Sequence, residues 1–166
     1  KYNMNPLTVT WAPHIYTDWG RQNFDSWIGS GIDNYLLTTS GRSKRLLTRL
    51  AVDNLFHPFQ PFMIGQKCFA PNMAIKFKIP LVFYGENEAE YGNPISDNNQ
   101  AQRSYEYFSS KPDDDLFIGG ESIKRLKTDF GMTQSELNPY LPADIKPLND
   151  INAEVHYLGY YLKCHP

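Results

Sequence analysis

Pro80-Leu81-Val82-Phe83-Tyr84-Gly85-Glu86-Asn87-Glu88-Ala89-Glu90-Tyr91-Gly92 is the stretch on which the reading of the chain turns. A short apolar run, Leu81 to Tyr84, is bounded by Pro80 and Gly85 and is rich in β-favouring side chains. That pattern predicts a buried strand of a parallel sheet. Three carboxylates, Glu86, Glu88 and Glu90, follow at alternate positions. In open α/β sheets, ligands gather beyond the carboxyl ends of the strands. A strand ending in Gly-Glu-Asn-Glu therefore puts acids and an amide where a site is expected. The plainer alternative is a solvated acidic loop, since loop carboxylates are usually surface groups.

Upstream, Leu7 to Trp11 is β-rich and Asn34 to Thr38 reads as a second strand. Between them, Thr17 or Asp18 can cap a helix to about Ile28, with Phe24, Trp27 and Ile28 on one face and Gly29 and Gly31 ending it. A helix from about Ser43 to Phe56 follows, its core stripe Leu47, Leu50, Ala51 and Leu55. His57-Pro58-Phe59-Gln60-Pro61 breaks it, and a further helical stretch to Phe77 carries Pro71. The order strand, helix, strand, helix, helix, strand predicts an α/β fold: a doubly wound, mostly parallel sheet with helices on both faces. The whole chain, 1–166, is expected to form one such domain.

Downstream the character changes. Residues 93–115 are polar and poor in aliphatics and read as a long surface loop. Ile123 to Phe130 is a short helix before Gly131, and Thr133-Gln134-Ser135-Glu136 is a capping box. Glu154 to Leu162, aromatic and β-rich, is expected to be the last strand. Gly119-Gly120 reads as a turn.

The totals narrow the function classes. Apolar residues at 41% and charged residues at 20% are ordinary for a globular protein. A net charge of -2 gives no electrostatic handle on nucleic acid or an anionic membrane. No apolar run approaches the roughly 20 residues a bilayer requires. Cys68 and Cys164 form neither a metal-spacing pair nor a disulfide framework, so a reducing, cytoplasmic setting is expected.

Ser40-Gly41-Arg42-Ser43-Lys44 puts a glycine, hydroxyls and cations at a strand-to-helix junction. It lacks the Walker spacing, yet it can offer backbone N–H groups to an anion at a helix start; a plain helix cap is the alternative. Arg42, Lys44, Arg45 and Arg49 cluster near that start, where cations oppose the helix dipole and bound phosphate would offset the cost. His14, His57, His156 and His165 show no ligand spacing. The metal role that Glu86, Glu88 and Glu90 suit is Mg²⁺, held by one or two of them with phosphate oxygens. No nucleophile motif is present, and Cys68, beside Phe69 on a helix, reads as a core residue.

Several blocks, in order, resemble the bacterial N-acetyl sugar amidotransferases. They are Val9-Thr10-Trp11-Ala12-Pro13-His14-Ile15-Tyr16-Thr17-Asp18-Trp19-Gly20, Leu46 to Ala51, His57-Pro58-Phe59-Gln60-Pro61-Phe62, Gly65-Gln66, Leu81 to Pro94, and Tyr157 to Lys163. That family is similar to the PP-loop ATP pyrophosphatases of adenine-nucleotide α-hydrolase fold. The resemblance implies ATP and Mg²⁺ as cofactors. It also implies adenylation of an acetamido carbonyl on a nucleotide-linked or nonulosonic sugar, then displacement of AMP by ammonia to leave an amidine. The implied setting is O-antigen or related surface-sugar biosynthesis, with a glutaminase and a cyclase-like companion supplying ammonia.

The resemblance also implies site residues. Glu86 and Glu88 are expected to bind Mg²⁺ or to accept a proton from ammonia. The strand end at Val9, Thr10 and Trp11, with Thr38, Thr39, Ser40 and Gly85, is expected to touch the nucleotide. His14, Tyr16, Arg49, His57, Gln60, Gln66 and Asn87 are candidates for sugar, phosphate or ammonia. The family's Ser-Gly-Gly-Lys-Asp-Ser loop and N-terminal cysteine pairs are absent, and Cys164 stands where a Trp is usual. This leads to the expectation of an internal fragment, truncated at both ends, with the loop on a strand upstream of Lys1. Two rivals remain: another PP-loop adenylating enzyme such as a tRNA thiolase, and a non-catalytic nucleotide- or sugar-binding module.

Overall fold

A computed structural model describes residues 4–86, 100–111 and 115–162. The chain is mixed α/β and divides into two compact units, one built from Lys1–Phe69 with Phe117–Tyr140 and the other from Ala70–Leu116 with Leu141–Pro166.

In the first unit, strand β1 (Thr8–Trp11) pairs in parallel with β2 (Asn34–Leu37), Thr8 opposite Asn34 and Trp11 opposite Leu37. Helix α1 (Asp18–Gly29) connects them, and the Thr17 hydroxyl accepts from the Gly20 N–H at 3.0 Å as its N-cap. The Asn34 amide donates to the hydroxyls of Thr8 and Thr10, and the Trp27 indole N–H donates to Thr8 Oγ1 at 3.2 Å. The expected apolar face of α1 is not buried: Trp27 and Ile28 stay about half exposed. The Trp27–Thr8 bond links this helix to β1, whereas the Asn34 bonds join the two strands to each other.

Helix α2 (Gly41–Leu55) begins two residues before the expected start. Leu47, Leu50 and Ala51 are buried as the stripe predicts, whereas Leu55 lies in the last turn and is exposed. Phe56 closes the helix in the left-handed conformation. Helix α3 (Gln60–Phe77) then runs through Pro71, which is fully buried and forfeits one helical bond without ending the helix. Trp11 is the hub of this core, its ring edge-on to Phe69 and Tyr140. The indole lies so close to α3 that a Cβ at Gly65 would overlap it.

Strands β6 (Phe117–Ile118) and β7 (Glu121–Ser122) form a hairpin turned by Gly119 and Gly120, both at positive φ. This is the turn the glycine pair predicts. Helix α4 (Ile123–Thr128) follows, and the capping box opens α5 (Gln134–Leu137) as expected.

The second unit is organised by strand β3 (Leu81–Tyr84). It pairs in parallel with β9 (Glu154–Tyr157), and β4 (Gln102–Arg103) flanks β9 antiparallel. One face is packed: Phe108 stacks on Tyr84 and Tyr84 on Tyr157, with Val82 and Val155 beside them. Leu81 and Phe83, on the other face, remain about half exposed. This corrects the reading of Leu81 to Tyr84 as a strand buried on both sides, because residues two apart share a face and the face of Leu81 and Phe83 is left half open. A smaller core forms around Ala143, Leu148 and Ala153, from β8 (Ala143–Asp144), helix α6 (Ile145–Asp150) and the turn after it.

Two more expectations are corrected. The described part of 93–115 is not all loop: β4, a 3-10 turn over Tyr105–Phe108 and β5 (Ser109–Ser110) lie in it. Strand β5 pairs in parallel with β8, and Phe108 is buried. Two-residue strands held by distant partners leave no periodic pattern in a polar sequence. The last strand is also shorter than Glu154 to Leu162, since it stops at Tyr157 and a helical turn, α7 (Leu158–Tyr161), follows. The Gly159 N–H donates to the Glu86 carbonyl at 3.2 Å, which turns the chain over the end of β3.

Candidate functional site

The carboxyl ends of β1 and β2 lie side by side in the first unit, joined by an Ala12 N–H to Leu37 C=O bond of 2.9 Å. Beyond β2 come Thr38, Thr39 and Ser40, then the first turn of α2. Thr39 is buried, and its hydroxyl accepts from Tyr140 Oη at 3.1 Å. Burial raises the Tyr140 phenol pKa, while the Thr39 bond acts to lower it. Ser40 is the N-cap residue of α2, yet its side chain makes no capping bond. A helix of 15 residues thus starts without a side-chain cap, at a turn carrying Arg42, Lys44 and Arg45. The first-turn N–H groups and these cations all favour an anion.

One carboxylate enters the same corner. Glu136 accepts from the buried Ser43 hydroxyl at 3.0 Å and lies 3.9 Å from Arg42. It also accepts from the Thr133 N–H and hydroxyl. The Thr133 backbone bond first, then the Thr133 and Ser43 hydroxyls, and last the Arg42 charge hold the Glu136 carboxyl below its ordinary range. Ser43 and Arg42 are partly committed to Glu136, which leaves Lys44 and Arg45 as the cations for a ligand.

His14 lies close to Phe62 and Phe59, ring centroids 5.1 and 6.4 Å away. Partial desolvation, and then the Lys44 charge, lower its pKa. A neutral imidazole beside a cation can donate and accept without adding positive charge.

The other expected residues are distributed differently. Val9 and Thr10 are half-buried in β1, and the Trp11 side chain serves the core, leaving only its backbone to meet a ligand. Tyr16 packs on Phe24 under the Arg21 guanidinium. Arg49 is exposed and pairs with Asp53 at 3.5 Å along α2. The His57 side chain is exposed, while its backbone closes α2 onto Ala51 and receives the Gln60 N–H. The Gln60 side-chain carbonyl accepts from the Gly119 N–H at 2.9 Å and so pins the β6–β7 hairpin. Gln66 is half-buried on α3, next to Gly65. Cys68 is buried, its thiol pushed up to about 12 by desolvation, as a core residue should be.

In the second unit, Gly85 is exposed and Glu86 half-buried at the end of β3. Asn87, Glu88 and Glu90 lie outside the described residues. Among the described residues, no group of three or more His, Cys, Asp or Glu side chains is arranged to hold a metal ion. No described helix is long and apolar enough to cross a membrane.

No family model matches the chain, and no curated protein does.

One constellation is only half legible in the sequence. His156 Nδ1 lies 2.8 Å from Tyr161 Oη, and its Nε2 lies 3.3 Å from Glu154 Oε2. Glu154 and His156 are two apart and share a strand face, which was a usable signal. Tyr161 falls within the stretch expected to be strand as far as Leu162, whereas it lies in the turn α7. Five extended residues span roughly 16 Å and alternate faces. Only the helical turn α7 returns the phenol to the imidazole.

Proposed function

We propose that this protein is an ATP-dependent sugar amidotransferase that converts an acetamido group into an amidine. The observation that carries the reading is the start of α2. A long helix without a side-chain cap opens beside two parallel strand ends, with Arg42 and Lys44 in its first turn and Arg45 next to them. Unliganded, those cations oppose the helix dipole, and a polyphosphate there removes the conflict. The finer fold that accompanies the reading is the doubly wound, mostly parallel sheet. The parallel registers of β1–β2 and β3–β9 support it.

In this reading, Lys44, Arg45 and the first-turn N–H groups of α2 hold the ATP phosphates, and the backbone at Trp11 and Thr38 faces the base. The acetamido oxygen attacks the α-phosphorus and pyrophosphate leaves. Ammonia, delivered by a glutaminase with its cyclase-like companion, adds to the activated carbon. AMP departs with the former carbonyl oxygen, and an amidine remains. An amide is a poor electrophile, and turning its oxygen into a phosphate leaving group lowers that barrier. His14, its pKa lowered by partial desolvation and by Lys44, is placed to hydrogen-bond the substrate. Glu86, at the end of β3 in the second unit, is the candidate either to bind Mg²⁺ or to accept a proton from ammonia.

An Mg²⁺ ion accompanying ATP would be held largely by phosphate oxygens, with few protein carboxylates needed. When bound, such an ion would neutralise charge on the departing pyrophosphate. Reaction in the cytoplasm, where ATP and nucleotide sugars are made, fits this chemistry.

The test is sugar-dependent pyrophosphate release by the full-length protein, with ATP, ammonium and a panel of acetamido nucleotide sugars. Lys44→Ala is expected to raise KM for ATP about tenfold, the cost of one charge-assisted hydrogen bond. Glu86→Gln and Glu88→Gln are expected to lower kcat. No pyrophosphate with any sugar would remove the reading in favour of a binding module.

A further inference from the structure

The exposed face of the β3–β9 pair carries a hydrogen-bonded chain that the amidotransferase reading does not use. Glu154 and His156 point to this face from β9, Phe83 lies opposite His156 in the register, and Tyr161 returns from α7. The Phe83 ring lies 5.4 Å from the imidazole and 6.0 Å from the Tyr161 ring, centroid to centroid. Only 14% of the His156 side chain is exposed, against 59% for Glu154. Tyr161 itself is 51% exposed. The imidazole is thus sheltered between aromatic rings, with a carboxylate on one nitrogen and an accessible phenol on the other.

The donor and acceptor roles follow from the partners. An ionised carboxylate can only accept, so a neutral His156 carries its proton on Nε2 and donates it to Glu154. Nδ1 then holds a lone pair, and at 2.8 Å it accepts the Tyr161 O–H. The order hydroxyl, imidazole, carboxylate is that of a nucleophile, its general base and the group that orients the base. The Nε2 to Glu154 distance of 3.3 Å is long for a charge-assisted bond. Glu154 therefore fixes the tautomer more than it anchors the ring, which the aromatic neighbours hold.

We propose that Glu154, His156 and Tyr161 form an acid–base site whose working group is the Tyr161 hydroxyl. It would serve a small-molecule nucleophile that must lose a proton from nitrogen or oxygen. In the forward step the substrate proton passes to the Tyr161 oxygen as the phenol proton passes to His156 Nδ1. His156 becomes a cation beside Glu154, and the substrate is left as the nucleophile. The reverse transfer resets the chain. His156 acts on Tyr161, and Glu154 is a positioning residue.

The neighbouring Tyr160 supplies an internal control, since it is 54% exposed, nearly the same as Tyr161, and no hydrogen bond to His156 involves it. The full-length protein is treated with phenylmethanesulfonyl fluoride, and the two tyrosines are followed by peptide mass spectrometry. In the labelling step the Tyr161 oxygen attacks sulfur, the S–F bond breaks, fluoride leaves, and His156 takes the phenol proton. Tyr161 is expected to be modified at least tenfold faster than Tyr160. His156→Gln should bring the two rates together, and Glu154→Gln should lower the Tyr161 rate severalfold. The Tyr160 rate in each variant reports whether the local fold survives. Equal rates at Tyr160 and Tyr161 in the unmutated protein would overturn the proposal. A Tyr161 rate unchanged by His156→Gln, with Tyr160 unaltered, would overturn it as well.

Discussion

The two parallel strand pairs use the same backbone geometry for different ends. In β1–β2, the Thr8, Thr10 and Asn34 side chains are tied to one another, and Trp11 enters the core. Its charged groups gather beyond the strand ends, in the cationic first turn of α2. In β3–β9, one face is an aromatic stack and the other presents Phe83, Glu154, His156 and Tyr161. There the polar groups sit on the sheet face. The first arrangement suits an anion held by N–H groups and cations, and the second suits proton transfer. A shared parallel register therefore says little about function, and the groups at its ends and faces say more.

This contrast can be broken most forcefully through the cores. Leu148, fully buried in the second unit, should cost about 3 kcal/mol as Leu148→Ala. The loss should appear as faster hydrogen exchange in β3 and β9. Gly65→Ala, which forces a methyl into the Trp11 ring, should cost about 2 kcal/mol in the first unit. Trp11, Trp19 and Trp27 all lie in that unit, so its unfolding is read by tryptophan emission. If each variant moved both probes equally, the two regions would be one cooperative block.

Acid sharpens the contrast. Glu136 has its pKa lowered in the folded state, so the unfolded chain binds its proton first as pH falls. Its contribution is complete above the ordinary glutamate range and is lost as pH drops toward the lowered value. Glu136→Gln should flatten that part of the stability profile, measured by urea midpoints across acid pH. At the small end, Arg49→Ala removes only an exposed pair with Asp53 and should shift stability by less than about 0.5 kcal/mol. A larger loss, or a raised KM for ATP, would give Arg49 the role its surface position argues against.

Local signals in the sequence were legible where local physics decides the outcome. The Thr17 cap, the Thr133–Glu136 box, the Gly119-Gly120 turn and the stripe from Leu47 to Ala51 each need only neighbours within a turn or two. The pairing of β3 with β9 joins Leu81 to Glu154, and β5 with β8 joins Ser109 to Ala143, and no local pattern encodes such choices. The site divides the same way. The cationic turn after Ser40 is visible as a string of residues. Ser43 meeting Glu136 across 93 residues, and Gln60 committed to Gly119 across 59, are decided by tertiary packing. The acid–base chain on β9 was concealed by a strand that ends five residues before Leu162.

The most direct measurement follows the oxygen. An acetamido sugar carrying oxygen-18 in its amide carbonyl is given to the full-length protein with ATP and ammonium, and the products are read by mass spectrometry. The account predicts one oxygen-18 atom in the AMP phosphate and none in the amidine. AMP without the label, or ADP and phosphate in place of AMP and pyrophosphate, would contradict adenylation of the amide.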